Sequence, residues 1–176
     1  MIFLKVSTLI KIERNMTIQL KDPSLLKTQA FICGRWVDSD KGETFPVYNP
    51  ATLEHLAEVA SVGLNETRRA IKGAQKAMEN WRTISAKSRS EILERWYNLL
   101  IENSEDLAVL MTAEQGKTLV ESRGEIAYGA SFIKWFAEEG KRVYGDIIPA
   151  TSDRRSIAVK QPIGVVAAIT PWNFPN

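Results

Sequence analysis

The sequence predicts an α/β fold in which helices and short strands lead into the first strand of a parallel sheet. The middle of the 176-residue chain carries apolar residues at helical spacing. Further along, Gly164 is followed by an unbroken apolar run over residues 165–169, which is typical of a strand buried on both faces. Because a parallel strand needs paired neighbours and crossover helices, we expect the chain to be the front portion of a larger α/β protein, truncated at this strand.

The start of the chain, residues 1–21, is predicted to be a disordered extension. Residues 1–15 are basic and poor in acidic side chains, and their apolar stretches are too short for a signal peptide. We favour an unstructured extension, or a start codon placed too far upstream of Met16. An organelle transit peptide is the third and less favoured interpretation.

Short strands are expected in the next part of the chain. Asp22 followed by Pro23 predicts a helix start, with a side-chain cap and a proline at the first helical position. Residues 31–37 indicate two strands around Gly34 and Arg35. Weak alternation predicts further strands near residues 44–48 and 56–62.

Four helices and one later strand follow. The expected helix starts are Asn65, Ser85 or Ser88, Ser104 and Thr118. The third helix is expected to end near Gly116 and the fourth near Val143, with Gly145 beyond it. Alternation over residues 156–160 predicts the strand.

The helical spacing also predicts which side chains are buried. In the first helix these are Ala70, Ile71, Ala74, Ala77, Met78 and Trp81; in the second they are Ile92, Trp96, Leu99 and Leu100. The fourth helix contains interior glycines at 124, 129 and 140. Since glycine is unfavourable inside a helix, these positions indicate close packing or local breaks.

Composition excludes several classes of function. The net charge is only +2 and the basic residues are interspersed with acidic ones, so we expect no nucleic-acid partner. No apolar stretch approaches the roughly 20 residues that span a membrane. One cysteine rules out an internal disulfide, and the single histidine makes a conventional His/Cys zinc site unavailable. We therefore expect a cytoplasmic protein with no membrane or metal partner.

The residues after the apolar run are the strongest functional candidates. In open α/β sheets ligands bind beyond the carboxyl ends of the strands, and Thr170, Pro171, Trp172 and Asn173 occupy that place. The tryptophan is available for stacking and the asparagine amide can donate hydrogen bonds. From the residues alone, Asn173 remains open to interpretation as a turn-forming residue, and Trp172 as a core residue.

Several segments resemble one enzyme family. Residues 169–175, Ile-Thr-Pro-Trp-Asn-Phe-Pro, closely resemble the signature of NAD(P)-dependent aldehyde dehydrogenases. Residues 31–37 are similar to that family's opening hairpin, residues 47–52 to the segment after it, and residues 114–117 to its E-x-G-K turn. The resemblance extends from about residue 25 to residue 175, roughly the first third of that family's chain. Within the family, residues 124–146 most resemble succinate-semialdehyde and glutarate-semialdehyde dehydrogenases.

This resemblance implies an aldehyde dehydrogenase-like fold with a Rossmann-like parallel sheet. Residues 22–145 would form the first part of the cofactor-binding domain, and residues 146–160 strands of an oligomerisation β-domain. Residues 161–176 would form the first strand and loop of the sheet. The parent protein would be a homo-oligomer, either a dimer or a tetramer.

The resemblance also assigns roles within the candidate loop. It implies that Ile169, Thr170, Pro171, Trp172 and Asn173 lie beside bound NAD or NADP. Asn173 would in addition donate a hydrogen bond to the oxyanion formed when a cysteine adds to an aldehyde. The expected substrate is a small-molecule aldehyde, succinate semialdehyde above all, which is oxidised to the acid.

The resemblance places the catalytic cysteine and the general-base glutamate beyond residue 176, so we predict that the chain alone is inactive. Cys33 is no substitute, because neither a histidine nor a cationic cluster adjoins it in sequence. His55 is interpreted as an exposed residue, and Glu114 and Lys117 as part of a helix end at Gly116. The alternative function is a non-enzymatic chain that docks onto full-length dehydrogenase subunits.

Overall fold

The computed structural model describes residues 18–176. Residues 1–17, which include Met16 and most of the predicted extension, lie outside the described residues. The described part contains six strands: β1 (Ala30–Ile32), β2 (Arg35–Val37), β3 (Thr44–Tyr48), β4 (His55–Ala60), β5 (Asp146–Ile148) and β6 (Ser156–Ala158). It also contains four α-helices: α1 (Leu64–Trp81), α2 (Ala86–Glu102), α3 (Ser104–Gln115) and α4 (Leu119–Glu139). This mixture confirms the α/β class.

The strands pair as three antiparallel hairpins, β1 with β2, β3 with β4 and β5 with β6. The strands predicted near residues 31–37, 44–48, 56–62 and 156–160 are thereby confirmed. The first turn lies on Cys33 and Gly34, one residue earlier than expected. Their φ angles are 52° and 78°, and a two-residue hairpin turn of this kind requires positive φ at both positions.

Three of the predicted helix boundaries are confirmed by their hydrogen bonds. The Ser85 side chain caps α2 by accepting from the backbone N–H of Ser88 at 3.1 Å. The Thr118 side chain caps α4 by accepting from the N–H of Glu121 at 3.3 Å. Gly116 ends α3 in the left-handed conformation, with a φ of 82°.

Other boundaries differ from the prediction. Gly63, not Asn65, caps α1, because the Glu66 carboxylate accepts from the Gly63 N–H at 3.1 Å and so begins the helix earlier. Asn103 precedes α3, which makes Ser104 its first residue rather than its cap. Helix α4 ends at Glu139 and passes into a 3₁₀ turn, Gly140–Arg142, short of Val143.

The core lies where α3 packs against α4. Ala108 and Met111 of α3 and Ile126 of α4 form a buried apolar cluster, with Leu107 and Leu119 packed against it. Burial of such side chains is the main favourable term in folding. Helices α3 and α4 therefore form the best packed part of the described chain.

Polar contacts reinforce the packing of α4 on its neighbours. The Arg123 guanidinium of α4 donates to both carboxylate oxygens of Glu105 in α3, at 2.8 and 2.6 Å. Lys134 of α4 forms an ion pair with Glu94 of α2. Helix α4 is thus held on two sides.

Much of the predicted apolar core is exposed instead. Seven of the ten side chains expected to be buried are large, and five of these are exposed: Ile71, Trp81, Ile92, Trp96 and Leu99. The smaller Ala74 and Ala77 are exposed as well. Ala70, Met78 and Leu100 are half-buried. The spacing identified faces capable of packing, but within residues 18–176 no helix or strand covers these faces completely. As for membranes, none of the helices within residues 18–176 combines the length and the apolar character of a membrane-spanning helix.

The predicted buried strand over residues 165–169 is wrong for the described chain. These residues form no strand, and Ile169 is 97% exposed. The physical reason is that no other described strand pairs with this segment, so neither its backbone groups nor its two faces are satisfied by a sheet. The segment lies instead along α1, where Val165 and Ile163 line a groove with Ile71 and Met78.

Candidate functional site

The candidate loop, residues 170–176, contains a tight turn. The Phe174 backbone N–H donates to the Pro171 carbonyl at 3.1 Å, which closes the turn around Trp172 and Asn173. Pro171, the first residue of the turn, has a restricted backbone. Both central side chains consequently face outward: Trp172 is 84% exposed and Asn173 is exposed.

Lys117 connects this turn to the helices. It lies between Gly116, which ends α3, and Thr118, which caps α4. Its ammonium group forms an ion pair with Glu125 and donates to the Asn173 carbonyl at 2.9 Å. The same nitrogen lies 4.9 Å from the centre of the Phe174 ring, within the range of a cation–π interaction.

Glu125 is the acidic partner in this group of residues. It projects from α4 and is only 4% exposed. Its second carboxylate oxygen accepts from the Asn176 backbone N–H at 3.0 Å, and its own carbonyl accepts from the Asn176 side-chain amide at 3.3 Å. Lys117 and Glu125 therefore bind the loop at two points, residues 173 and 176.

A cleft of about 440 Å³ separates the loop from the start of α4. It is lined by Gln115, Lys117, Glu121, Gly124, Glu125, Tyr128, Asn173 and Phe174. The Thr118 hydroxyl and N–H donate to the Glu121 carboxylate and hold the pKa of Glu121 below its usual value. The cleft therefore contains two carboxylates that already have hydrogen-bond donors, Glu121 and Glu125. Nearby, at the end of α3, partial burial raises the pKa of the Glu114 carboxyl.

The predicted site residues are only partly brought together. The backbone of Asn173 meets Lys117, while its side-chain amide makes no hydrogen bond within residues 18–176 and is open to an incoming acceptor. Trp172 and Ile169 protrude from the chain and contribute apolar surface. The described residues contain no group of three or more His, Cys, Asp or Glu side chains that could hold a metal ion.

The sequence alone did not predict Lys117 and Glu125 as site residues. Helix termination at Gly116 does occur, but it does not account for the contact between Lys117 and the 170–176 loop. The match of residues 114–117 to a family motif was the available signal for Lys117. The carboxylate of Glu125 gave none, because its partner residues lie 8 and 51 positions away in sequence.

Cys33 and His55 lie in other contacts. The Cys33 thiol is 3.7 Å from the Arg69 carbonyl of α1, and the His55 ring pairs with Glu58 at 2.9 Å. His55 is exposed, as expected. Neither of these contacts involves the 170–176 loop.

The chain also matches the model of one protein family over most of its length. The model of the family described as "Aldehyde dehydrogenase family" matches residues 36–176. The chain belongs to the aldehyde dehydrogenase family. That assignment confirms the resemblance carried by residues 169–175.

Relatives within the aldehyde dehydrogenase family share much of this sequence. A glutarate-semialdehyde dehydrogenase of Pseudomonas putida is 60% identical over 90% of this chain, and a 3-sulfolactaldehyde dehydrogenase of Pseudomonas putida is 59% identical over the same share. The NADP(+) succinate-semialdehyde dehydrogenase GabD of Escherichia coli is 55% identical. The chain spans about a third of the length of each, 33%.

Solved aldehyde dehydrogenases share the fold over the same region. A succinate-semialdehyde dehydrogenase from Burkholderia pseudomallei superposes with a TM-score of 0.86 at 57% identity, covering 89% of this chain and 33% of its own. A betaine aldehyde dehydrogenase from Staphylococcus aureus, solved with NAD+, gives a TM-score of 0.83 at 32% identity, covering 87% and 31%. The described residues thus correspond to about a third of an aldehyde dehydrogenase chain.

Proposed function

We propose that the parent protein is an NAD(P)-dependent dehydrogenase that oxidises an aldehyde with a carboxylate at its far end, such as succinate semialdehyde, to the acid. The observation that carries this proposal is the 55–60% identity to glutarate-semialdehyde and succinate-semialdehyde dehydrogenases. The outward amide of Asn173, on a turn fixed to α4, supports it. The predicted homo-oligomeric state and cytoplasmic location remain predictions.

Asn173 is proposed as the oxyanion donor of this reaction. When a nucleophile adds to an aldehyde, negative charge develops on the carbonyl oxygen, and an amide N–H stabilises it without exchanging a proton. An amide already bonded to its own backbone would lose that bond in doing so. Since the Asn173 amide has no partner within residues 18–176, it is available without that cost.

The nicotinamide cofactor, either NAD or NADP, supplies the hydride acceptor when bound. Ile169 and Trp172 expose apolar side chains suited to contact with a planar ring system. Thr170 and Pro171 join them, and a residue before proline is disfavoured in the helical conformation. We propose that these residues form one wall of the cofactor site.

A chimeric enzyme tests the function. Residues 18–176 replace the corresponding third of the Pseudomonas putida glutarate-semialdehyde dehydrogenase, and turnover is followed as NAD(P)H formation with succinate and glutarate semialdehydes. Asn173→Ala should lower kcat by about 10²–10³, while Asn65→Ala, a matched change on the exposed face of α1, should leave it unchanged. A chimera that folds but shows no turnover, or an Asn173→Ala variant with full turnover, contradicts the proposal.

The 176-residue chain itself is proposed to be inactive. Without the cysteine and glutamate that the family uses, it can neither form nor release a covalent intermediate. Aldehyde-dependent NAD(P)H formation by the purified chain would show that this is wrong.

A non-enzymatic docking role is the second candidate. The β5–β6 hairpin exposes apolar side chains, with Ile147 at 81% and Ile157 at 66%, and exposed apolar strands favour association. Co-purification of the chain with a full-length dehydrogenase, lost in an Ile147→Lys variant, would support docking. Equal recovery of both variants would contradict it.

A further inference from the structure

We propose that Lys117 and Glu125 are positioning residues that fix the 170–176 loop on α4 and thereby orient the Asn173 amide. The consequence for the oxyanion rests on the proposed function, whereas the anchoring of the loop does not. The proposal is carried by three observations: the bridging contacts of Lys117, the burial of Glu125, and the space left by Gly129.

Lys117 makes contacts on both sides of the cleft. Its ammonium pairs with Glu125 on the helix side and donates to the Asn173 carbonyl on the loop side, at 2.9 Å. The Phe174 ring beneath it adds a second loop contact at 4.9 Å. Because the bonded carbonyl belongs to Asn173 itself, any movement of Lys117 changes the direction in which the Asn173 side chain leaves the backbone.

Glu125 gives this bridge a fixed base. A carboxylate that is 4% exposed needs partners, since an unpaired buried charge is strongly unfavourable. Its partners are the Lys117 ammonium and the Asn176 N–H. Both carboxylate oxygens are therefore engaged by groups that hold the loop, and the side chain cannot swing away without losing both.

Gly129 explains how the end of the loop approaches α4 so closely. A Cβ atom placed on Gly129 would overlap the Asn176 side-chain amide, which would then have to move. Gly124, one turn and a half earlier on the same helix, has nothing within 4 Å of such an atom. The glycine at 129 thus provides the room that the anchored loop occupies.

The test is amide hydrogen exchange measured by NMR on the 176-residue chain, read at Phe174 and Asn176. Lys117→Met should speed exchange at both amides by about tenfold or more, because it removes a charged hydrogen bond and an ion pair. Lys117→Arg, which keeps the charge, should restore protection at least in part. Lys134→Met is the matched control, since it removes a lysine–glutamate pair that joins α4 to α2 rather than to the loop. It should leave both amides unchanged.

Three outcomes overturn the anchoring. They are unchanged exchange at residues 174 and 176 in Lys117→Met, no rescue by Lys117→Arg, and an equal effect of Lys134→Met. If Lys117→Met does not fold, Glu125→Gln serves in its place, with the same expected acceleration. Loss of protection that merely follows a lower urea midpoint of the whole chain would also overturn it, because that is a general stability effect.

Asn173→Ala separates this proposal from the proposed function. The Asn173 side chain has no hydrogen bond within residues 18–176, so the substitution should leave exchange at Phe174 and Asn176 as in the unmodified chain. In the chimera it should abolish most turnover. The exchange data could support the anchoring while Asn173→Ala leaves turnover unchanged. That result would support the positioning contacts of Lys117 and Glu125 and contradict the oxyanion role of Asn173.

Discussion

At the scale of single residues, Gly116 shows why α3 ends where it does. Its φ of 82° is left-handed, and a Cβ atom added there would lie 2.8 Å from the Pro50 side chain. Glycine is favoured at this position after a helix because it has no Cβ. Gly116 therefore places Lys117 next to the loop through its backbone conformation alone.

Replacing this glycine should be costly. We expect Gly116→Ala to lower the free energy of unfolding by about 1–2 kcal/mol, the cost of a left-handed alanine, before any clash with Pro50. The measurement is urea unfolding followed by circular dichroism. Gly124→Ala is the control, because it lies inside a helix with open space around it, and should stabilise by about 0.5–1 kcal/mol. Equal effects of the two substitutions would contradict the argument.

Asp106 is a second single residue that holds distant parts of the chain together. It is buried in α3 and accepts from the backbone N–H groups of Lys21 and Asp22, at 3.0 and 2.8 Å. Hydrogen bonds to a charged group are among the stronger ones, about 1.5–3 kcal/mol each. One side chain thus fastens the first described residues to the core.

Removing this carboxylate should release that segment. We expect Asp106→Ala to lower the free energy of unfolding by about 2–4 kcal/mol, since two backbone donors lose their partner. Asp38→Ala should cost below about 1 kcal/mol, because within residues 18–176 the Asp38 side chain accepts only from the exposed Gln29 side chain. Urea midpoints of the two variants provide the measurement, and similar midpoints would argue against the prediction.

At the scale of secondary-structure elements, the start of α1 depends on one carboxylate. Glu66 accepts from the backbone N–H groups of Asp40 and Gly63, at 2.8 and 3.1 Å. These donors, Asp40 first, hold the pKa of Glu66 below its usual value. The bonds join the helix to the turn after β2, where Asp40 also meets the Arg69 guanidinium.

This shift gives α1 an acid-dependent stability. Because the folded-state pKa of Glu66 is lower than the unfolded one, its contribution is fully present above the unfolded value of about 4.3 and is lost as the pH falls through the folded value. Glu66→Gln should therefore be less stable than the unmodified chain near pH 7, and the gap should narrow below about pH 4. Urea unfolding at several pH values checks this. Glu79→Gln, an exposed change on the same helix, should follow the unmodified chain throughout.

Elements were predictable from sequence where local chemistry decides them. Ser85, Thr118 and Gly116 form their caps with neighbours within a few residues, so the sequence contains both partners of each bond. Gly63 was missed at α1 because glycine has no capping side chain and the bond comes from Glu66, three residues later. The exposure of Ile71 and Trp96 was not predictable from helical spacing, because spacing identifies an apolar face but not whether another element covers it.

At the scale of the whole molecule, many large apolar side chains are exposed. Exposed large apolar side chains occur on α2, α4 and the β5–β6 hairpin, among them Trp96, Phe132, Trp135, Phe136 and Ile147. Exposed apolar surface normally belongs to an interface when its side chains form one large patch. The chain spans about a third of the length of the curated relatives that it matches.

The open surface should be detectable by dye binding. We expect the chain at neutral pH to bind 8-anilinonaphthalene-1-sulfonate while keeping the far-ultraviolet circular dichroism of its helices. The full-length Pseudomonas putida glutarate-semialdehyde dehydrogenase is the control and should bind less dye per residue. Dye fluorescence no higher than that of the control would contradict the exposure of these faces.

The candidate site was predictable from sequence only in part, because some of its residues come together only through tertiary contacts. Residues 169–173 were identified from their own sequence, and the family match confirms the family to which that signature belongs. The partners Lys117 and Glu125 depend on how α3, α4 and the loop meet, which no local pattern specifies. The strand expected over residues 165–169 needed hydrogen bonds from other strands, and within the described residues none supplies them.

The single hydrogen bond from Lys117 to the Asn173 carbonyl joins positions 56 apart in the chain. Closing a flexible loop of that length costs about 3–4 kcal/mol of chain entropy, more than one such bond returns. The contact can persist only while α4 is folded and shortens the path between the two ends. The turn that carries Asn173 is therefore thermodynamically subordinate to α4: on denaturation it should detach with that helix or before it, never after.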